Sequence, residues 1–101
     1  MQVLHLTDPD FSNALQGDVL VDFFATWCGP CRRQSEIIEA LDAKDVPPHC
    51  RLVKVDIDQA PEAAAAFHVE VVPTLVRLKD GRELRRETGA QPAEKLIDLM
   101  Q

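Results

Sequence analysis

The sequence has no tyrosine and one tryptophan among 101 residues, so any core it builds must be mostly aliphatic. No apolar run approaches the roughly 20 residues that a membrane-spanning helix requires, so a membrane is not an expected partner. The first 20 residues hold His5, Asp8, Asp10 and Asp18 and no long apolar stretch. A secretory leader is therefore not expected, and the chain reads as cytoplasmic. Cysteine is scarce: there are three, two of them in one C-x-x-C. An odd, low count without a leader argues against a structural disulfide framework and for catalysis or metal binding. Positive charge is also short, with 11 Lys and Arg against 17 Asp and Glu and a net charge of −6. An acidic domain repels phosphate backbones, so nucleic acid is not an expected partner either. Linkers, repeats and low-complexity segments are absent apart from the alanine run at 63–66.

What remains suffices for one domain, residues 1–101, because 46% of the chain is hydrophobic and a packed core can form without disulfide staples. Residues 3–6 read as a short strand. Thr7 or Asp8 can cap a following helix, with Pro9 in its first turn. Residues 19–25 form an apolar run broken only by Asp22, which fits a strand buried on both faces of a sheet. Residues 28–43 read as a helix with Ile37, Ile38 and Leu41 inward. Pro47-Pro48 interrupts, 52–57 is a third strand, and 61–67 is a short helix begun near Asp58. Residues 74–78 and 83–88 flank the hairpin signal Asp80-Gly81. Residues 92–100 close as a helix with Leu96, Ile97 and Met100 inward. The order β-α-β-α-β-α-β-β-α predicts an α/β fold: a central mixed five-stranded sheet flanked by four helices, with right-handed crossovers between its parallel strands.

The chemistry concentrates at Cys28-Gly29-Pro30-Cys31. Cys28 falls where the second strand ends and the second helix begins. There its sulfur meets unsatisfied backbone N–H groups and the positive end of the helix dipole. Both favour the thiolate, the attacking species in disulfide exchange. Cys31 follows one helical turn later, within bonding reach, and Pro30 suits a first turn. Cys28 is the expected nucleophile and Cys31 the resolving thiol; together they form a redox disulfide. Arg32 and Arg33 add positive potential or are simply solvated. A structural zinc site needs four ligands. The remaining candidates, Cys50, His5, His49 and His68, form no second pair with zinc spacing, so no metal is expected.

The stretch Val21-Asp22-Phe23-Phe24-Ala25-Thr26-Trp27-Cys28-Gly29-Pro30-Cys31 closely resembles the active-site segment of the thioredoxin family. Val55-Asp56-Ile57-Asp58, Val72-Pro73-Thr74, Lys79-Asp80-Gly81 and Gly89 follow in the family's order, so the resemblance covers almost the whole chain. It implies a thioredoxin fold and a thiol–disulfide oxidoreductase, a general protein-disulfide reductase that needs no bound cofactor. Implied partners are proteins with exposed disulfides, and a flavin-dependent thioredoxin reductase as electron donor; a monomer is expected. The Gly-Pro between the cysteines favours a reductase over an oxidase.

Asp22 is the one charge in its strand. Burial would raise its proton affinity and suit it to general acid–base work, unless it points outward. The resemblance gives it that role toward Cys31, with Lys54 in the neighbouring strand as its charge partner. Spacing alone leaves Pro73 open between a trans residue starting a strand and a cis one. The resemblance implies cis, packed against the cysteines, with the Val72 backbone free to pair with an extended substrate. Trp27 reads by itself as a core residue at a strand end. The resemblance places it instead on a flat apolar substrate surface with Gly29, Pro30, Val72 and Gly89. Cys50 reads as an inert small hydrophobe, and Arg82, Arg85 and Arg86 as a solvated face balanced by Glu83 and Glu87.

Four positions depart from the family pattern. Phe24 stands where a Trp is frequent. Glu36 replaces a helix-kinking proline, which should straighten the helix. Val71 is larger than usual, and Arg77 puts a charge in the fourth strand that is expected to reach toward an edge. Two alternatives compete with a general reductase: a thioredoxin-like protein dedicated to one partner, and a non-catalytic binding subunit with incidental cysteines.

Overall fold

The run around Val19 does form the strand at the centre of everything else. In the computed structural model, which describes residues 3–101, the elements are β1 (Leu4–Leu6), α1 (Asp8–Phe11), β2 (Asp18–Phe24), α2 (Gly29–Glu39), β3 (Cys50–Asp56), α3 (Pro61–Ala66), β4 (Thr74–Lys79), β5 (Arg82–Thr88) and α4 (Ala93–Met100). They make one five-stranded sheet in the order β1-β3-β2-β4-β5. β3 pairs parallel with both β1 and β2, while β4 runs antiparallel to β2 and β5.

Central placement explains the composition of β2. With neighbours on both edges and helices over both faces, it must be apolar on both faces. Val19, Val21 and Phe23 pack with Phe11 of α1 and Ala63 of α3 on one face. Leu20 packs on the other with Ile38 of α2 and Leu96, Leu99 and Met100 of α4. Side chains buried this completely contribute about 1.5–3 kcal/mol each.

Local chemistry moves some boundaries. α2 ends at Glu39, four residues short of the expected stop. Asp42 leaves helical geometry and its carboxylate accepts from Lys44 N at 3.1 Å, the kind of local bond that competes with a helix. Within its span α2 runs without a break through Glu36, whose carbonyl still accepts from Ala40 N at 3.1 Å. Thr7 occupies the cap position of α1 but makes no capping bond; its hydroxyl donates to Asp10 Oδ2 at 3.0 Å. Asp8 does cap a helix, but a distant one: its carboxylate accepts from Glu62 N and Ala63 N at 3.1 and 2.9 Å. It thereby serves the start of α3, whose own cap residue, Ala60, has no polar side chain.

Arg77 does not lie out at an edge. It is 4% exposed and reaches along the sheet to Asp18 Oδ1 at 2.8 Å and to Leu78 O at 2.6 Å. A buried guanidinium needs such partners because its charge cannot be shed. Two residues of the basic cluster are likewise paired: Arg86 bonds Glu83 and the Phe67 carbonyl, both at 2.6 Å, and Arg85 pairs with Asp98 at 3.0 Å.

The β4–β5 turn has Asp80 at φ 49° and Gly81 at φ 83°, both positive as a two-residue type I′ hairpin requires. A Cβ added at Gly81 would meet only Leu15 carbons, at 4.0 Å, so conformation rather than a clash decides its cost. Gly81→Ala should therefore lower stability by about 1 kcal/mol. A urea melt checks this, and an unchanged midpoint would mean that the turn relaxes freely.

Candidate active site

β2 ends and the chain turns into α2 so that Cys28 becomes the cap residue of that helix, in extended geometry. Its sulfur accepts from Cys31 N at 3.1 Å, taking the place of the oxygen that an Asp or Ser would supply. Cys28 and Cys31 are joined as a disulfide with Cα atoms 5.2 Å apart. Cys28 is 6% exposed and Cys31 2%, so both are buried and Cys28 is the less so. Gly29 and Pro30 bridge them on the exposed side.

Three segments close around the pair. The Val72–Pro73 bond is cis, and the Val72 carbonyl oxygen lies 3.6 Å from Cys28 Sγ. The Pro73 carbonyl accepts from Gly89 N at 2.8 Å, which brings Gly89 to the same rim. Trp27 is 66% exposed and its Nε1 donates to Asp58 Oδ2 at 2.9 Å. Trp27 thus lies on the surface, as the family resemblance implies, and not in the core, as its place at a strand end suggests by itself. Asp58 satisfies the polar end of the ring, and the ring can lie on the surface.

Two supporting residues escaped the sequence reading. Asp58 ends the stretch Val55-Asp56-Ile57-Asp58, but nothing local ties it to Trp27, 31 residues earlier. Gln34, fully buried in α2, donates to Gln91 O at 3.0 Å and accepts from Gln91 N at 2.6 Å. This pair anchors the loop after Gly89 to the cysteine-bearing helix. A buried glutamine among helix residues is the only signal that could have pointed to it.

Asp22 is fully buried, so the outward alternative falls. Neither carboxyl oxygen has a hydrogen-bond partner among the described residues. Burial pushes its pKa up to about 6, against a smaller opposing pull from Lys54. Lys54 stands opposite Asp22 across the β2–β3 ladder, yet its ammonium is bonded elsewhere. Nζ donates to Ser35 Oγ of α2 and lies 4.4 Å from the centre of the Phe24 ring. Cys50 lies at the far end of β3, buried, bonded to neither other cysteine, and burial raises its thiol pKa. A high-pKa buried thiol is a poor nucleophile. The disulfide thus has the cis-proline segment against Cys28 and the exposed Trp27 next to it in the chain, and a buried acid lies in the strand leading to it.

Comparison with known proteins agrees with this geometry. Residues 2–101 match the family model described as Thioredoxin. The thioredoxin of Chlamydia trachomatis serovar D is 41% identical over 96 residues, covering 94% of this chain and 92% of that one. The thioredoxin of Staphylococcus saprophyticus is 39% identical over 102 residues, covering 100% and 97%. Among solved structures, a point mutant of the thioredoxin from Halobacterium salinarum superposes with a TM-score of 0.80 at 32% identity, covering 98% of this chain and 88% of that one.

The state of Asp22 makes stability depend on pH. Its carboxyl titrates near 6 in the folded chain and near 4 when unfolded. Between those values the folded form holds the extra proton, so stability falls as pH rises. Asp22→Asn should remove that decline, matching the parent at pH 4 and exceeding it by up to roughly 3 kcal/mol at pH 8. Denaturant melts at the two pH values measure the difference, and equal gains at both would show that ionisation of Asp22 is not the cause.

Proposed function

The chain belongs to the thioredoxin family and is a dithiol–disulfide oxidoreductase; on that premise we propose that it acts as a general reductase of protein disulfides, with its residues dividing the work as follows. Reduced Cys28, at the helix start, is the nucleophile. Its thiolate attacks one sulfur of a substrate disulfide, forms a mixed disulfide and expels the other substrate sulfur as a thiolate, which takes a proton. Cys31 then gives its proton to the Asp22 carboxylate, directly or through water, and attacks Cys28 Sγ. The second substrate sulfur leaves, the Cys28–Cys31 disulfide forms, and two electrons have passed from this chain to the substrate.

The observation that carries this reading is the Cys28 sulfur as the cap of α2, 3.1 Å from Cys31 N and 3.6 Å from the Val72 carbonyl. An N–H aimed at the sulfur stabilises a thiolate more than a thiol, and the helix dipole adds to it. Substrates are extended protein segments containing a disulfide. Their backbone pairs at Val72 beside Pro73, and their side chains meet Trp27, Gly29, Pro30 and Gly89. Lys54 tunes the charge on Asp22. A thioredoxin reductase returns the electrons by the reverse exchange, and the setting is the reducing cytoplasm. Residues 1–101 work as one domain and as a monomer.

Cys31→Ser should accumulate a mixed disulfide with insulin, whereas Cys28→Ser should accumulate none. Trapping by both variants alike would reverse or abolish the assigned order. The parent should reduce insulin with dithiothreitol, and also with NADPH and a thioredoxin reductase. Activity with dithiothreitol alone would point to a dedicated partner.

A further inference from the structure

Lys54 is the cation aligned with Asp22 across the ladder, and both are buried, at 8% and 0% exposure. Two opposite charges in such a setting ordinarily pair, since each otherwise bears the cost of desolvation alone. Here the ammonium is bonded to the Ser35 hydroxyl and set over the Phe24 ring, while both Asp22 oxygens lack a hydrogen-bond partner among the described residues. Ser35 stands four residues after Cys31, one turn along the same helix face. It lines two hollows, one shared with Lys54, His5 and Glu39 and the other with Cys31, Phe24 and Arg32.

We propose that Ser35 is a positioning residue for the exchange reaction: its hydroxyl holds the Lys54 ammonium on α2, away from Asp22, and so keeps the carboxyl free to take and give a proton. The link to catalysis rests on the acid–base role proposed for Asp22; the placement of the charge does not. Other ionisable groups around the pair are few. β1 presents His5, opposite Lys54 in the ladder. α2 presents Glu39 at the first hollow and Arg32 and Glu36 at the second. β4 faces Asp22 with Leu75, and the buried residues of α4 are Leu96, Leu99 and Met100. Cys28 and Cys31 titrate only when reduced. Without the Ser35 oxygen, the ammonium has the unpartnered Asp22 carboxylate as its natural acceptor. An opposite charge brought into contact lowers a carboxyl titration by about 1–3 units.

The test follows the Asp22 carboxyl carbon by NMR against pH in the disulfide form, where neither active-site thiol titrates, for the parent, Ser35→Ala and Ser35→Thr. Ser35→Ala should move the Asp22 titration down by about one unit or more, and Ser35→Thr, which keeps the hydroxyl, should leave it in place. In reduced protein, the Asp22-linked inflection in the rate of insulin reduction should shift with the NMR titration. An unmoved titration in Ser35→Ala, or an equal shift in Ser35→Thr, overturns the proposal. Asp22→Asn separates this from the acid–base reading. If that variant keeps the parent rate profile while Ser35→Ala still moves the carboxyl titration, the base role fails and the charge-positioning role stands. Thermal melts of both Ser35 variants, taken alongside, establish that folded protein is being titrated.

Discussion

One hydrogen bond anchors the chemistry of this protein: the Cys31 N–H pointing at the Cys28 sulfur across 3.1 Å. A helix start leaves N–H groups without partners, and here sulfur takes the place of the usual oxygen cap. The arrangement holds only if the chain enters the helix at a fixed angle and position. β2 provides that, since it is laddered on both sides, to β3 and β4, and covered by helices on both faces. The packing that makes β2 immobile therefore also fixes where the sulfur lies.

The same strand carries two acids on one face, Asp18 and Asp22, and their opposite surroundings are informative. Asp18, at the start of the strand, accepts from Arg77 at 2.8 Å and has Lys79 at 3.7 Å. The Arg77 hydrogen bond, more than any other influence, holds its pKa below the ordinary value. Its charge is fixed and its work is structural, meeting the one charged residue of β4 that is buried. Asp22, two turns of the pleat nearer the cysteines, has no such partner among the described residues, and burial raises its proton affinity. Of two similar side chains in one strand, only the second is suited to move a proton near neutral pH.

The rim of the site depends on contacts remote in sequence. The Asp58 carboxylate satisfies Trp27, and Gln34 grips the backbone of Gln91. Gln34 ties the loop after Gly89 to the buried side of α2, and Asp58, exposed in the turn after β3, gives the Trp27 ring a fixed partner beside the disulfide. Asp8, capping α3 from α1, does the same for the opposite face of the sheet.

The sequence by itself determined the element order, the buried central strand, the hairpin turn at Asp80-Gly81 and the cysteine pair at a helix start. These follow from periodicity, turn chemistry and spacing, which act over a few residues. The cis Val72–Pro73 bond was legible only through family resemblance, because spacing permits either isomer. Tertiary structure alone decided which helix Asp8 caps, where α2 stops, that Arg77 lies buried against Asp18 and that Lys54 bonds Ser35 rather than Asp22. In most of these a polar group chooses among partners that only the fold brings within 3 or 4 Å. That choice turns on burial and competing acceptors, neither of which exists until the sheet and helices have packed.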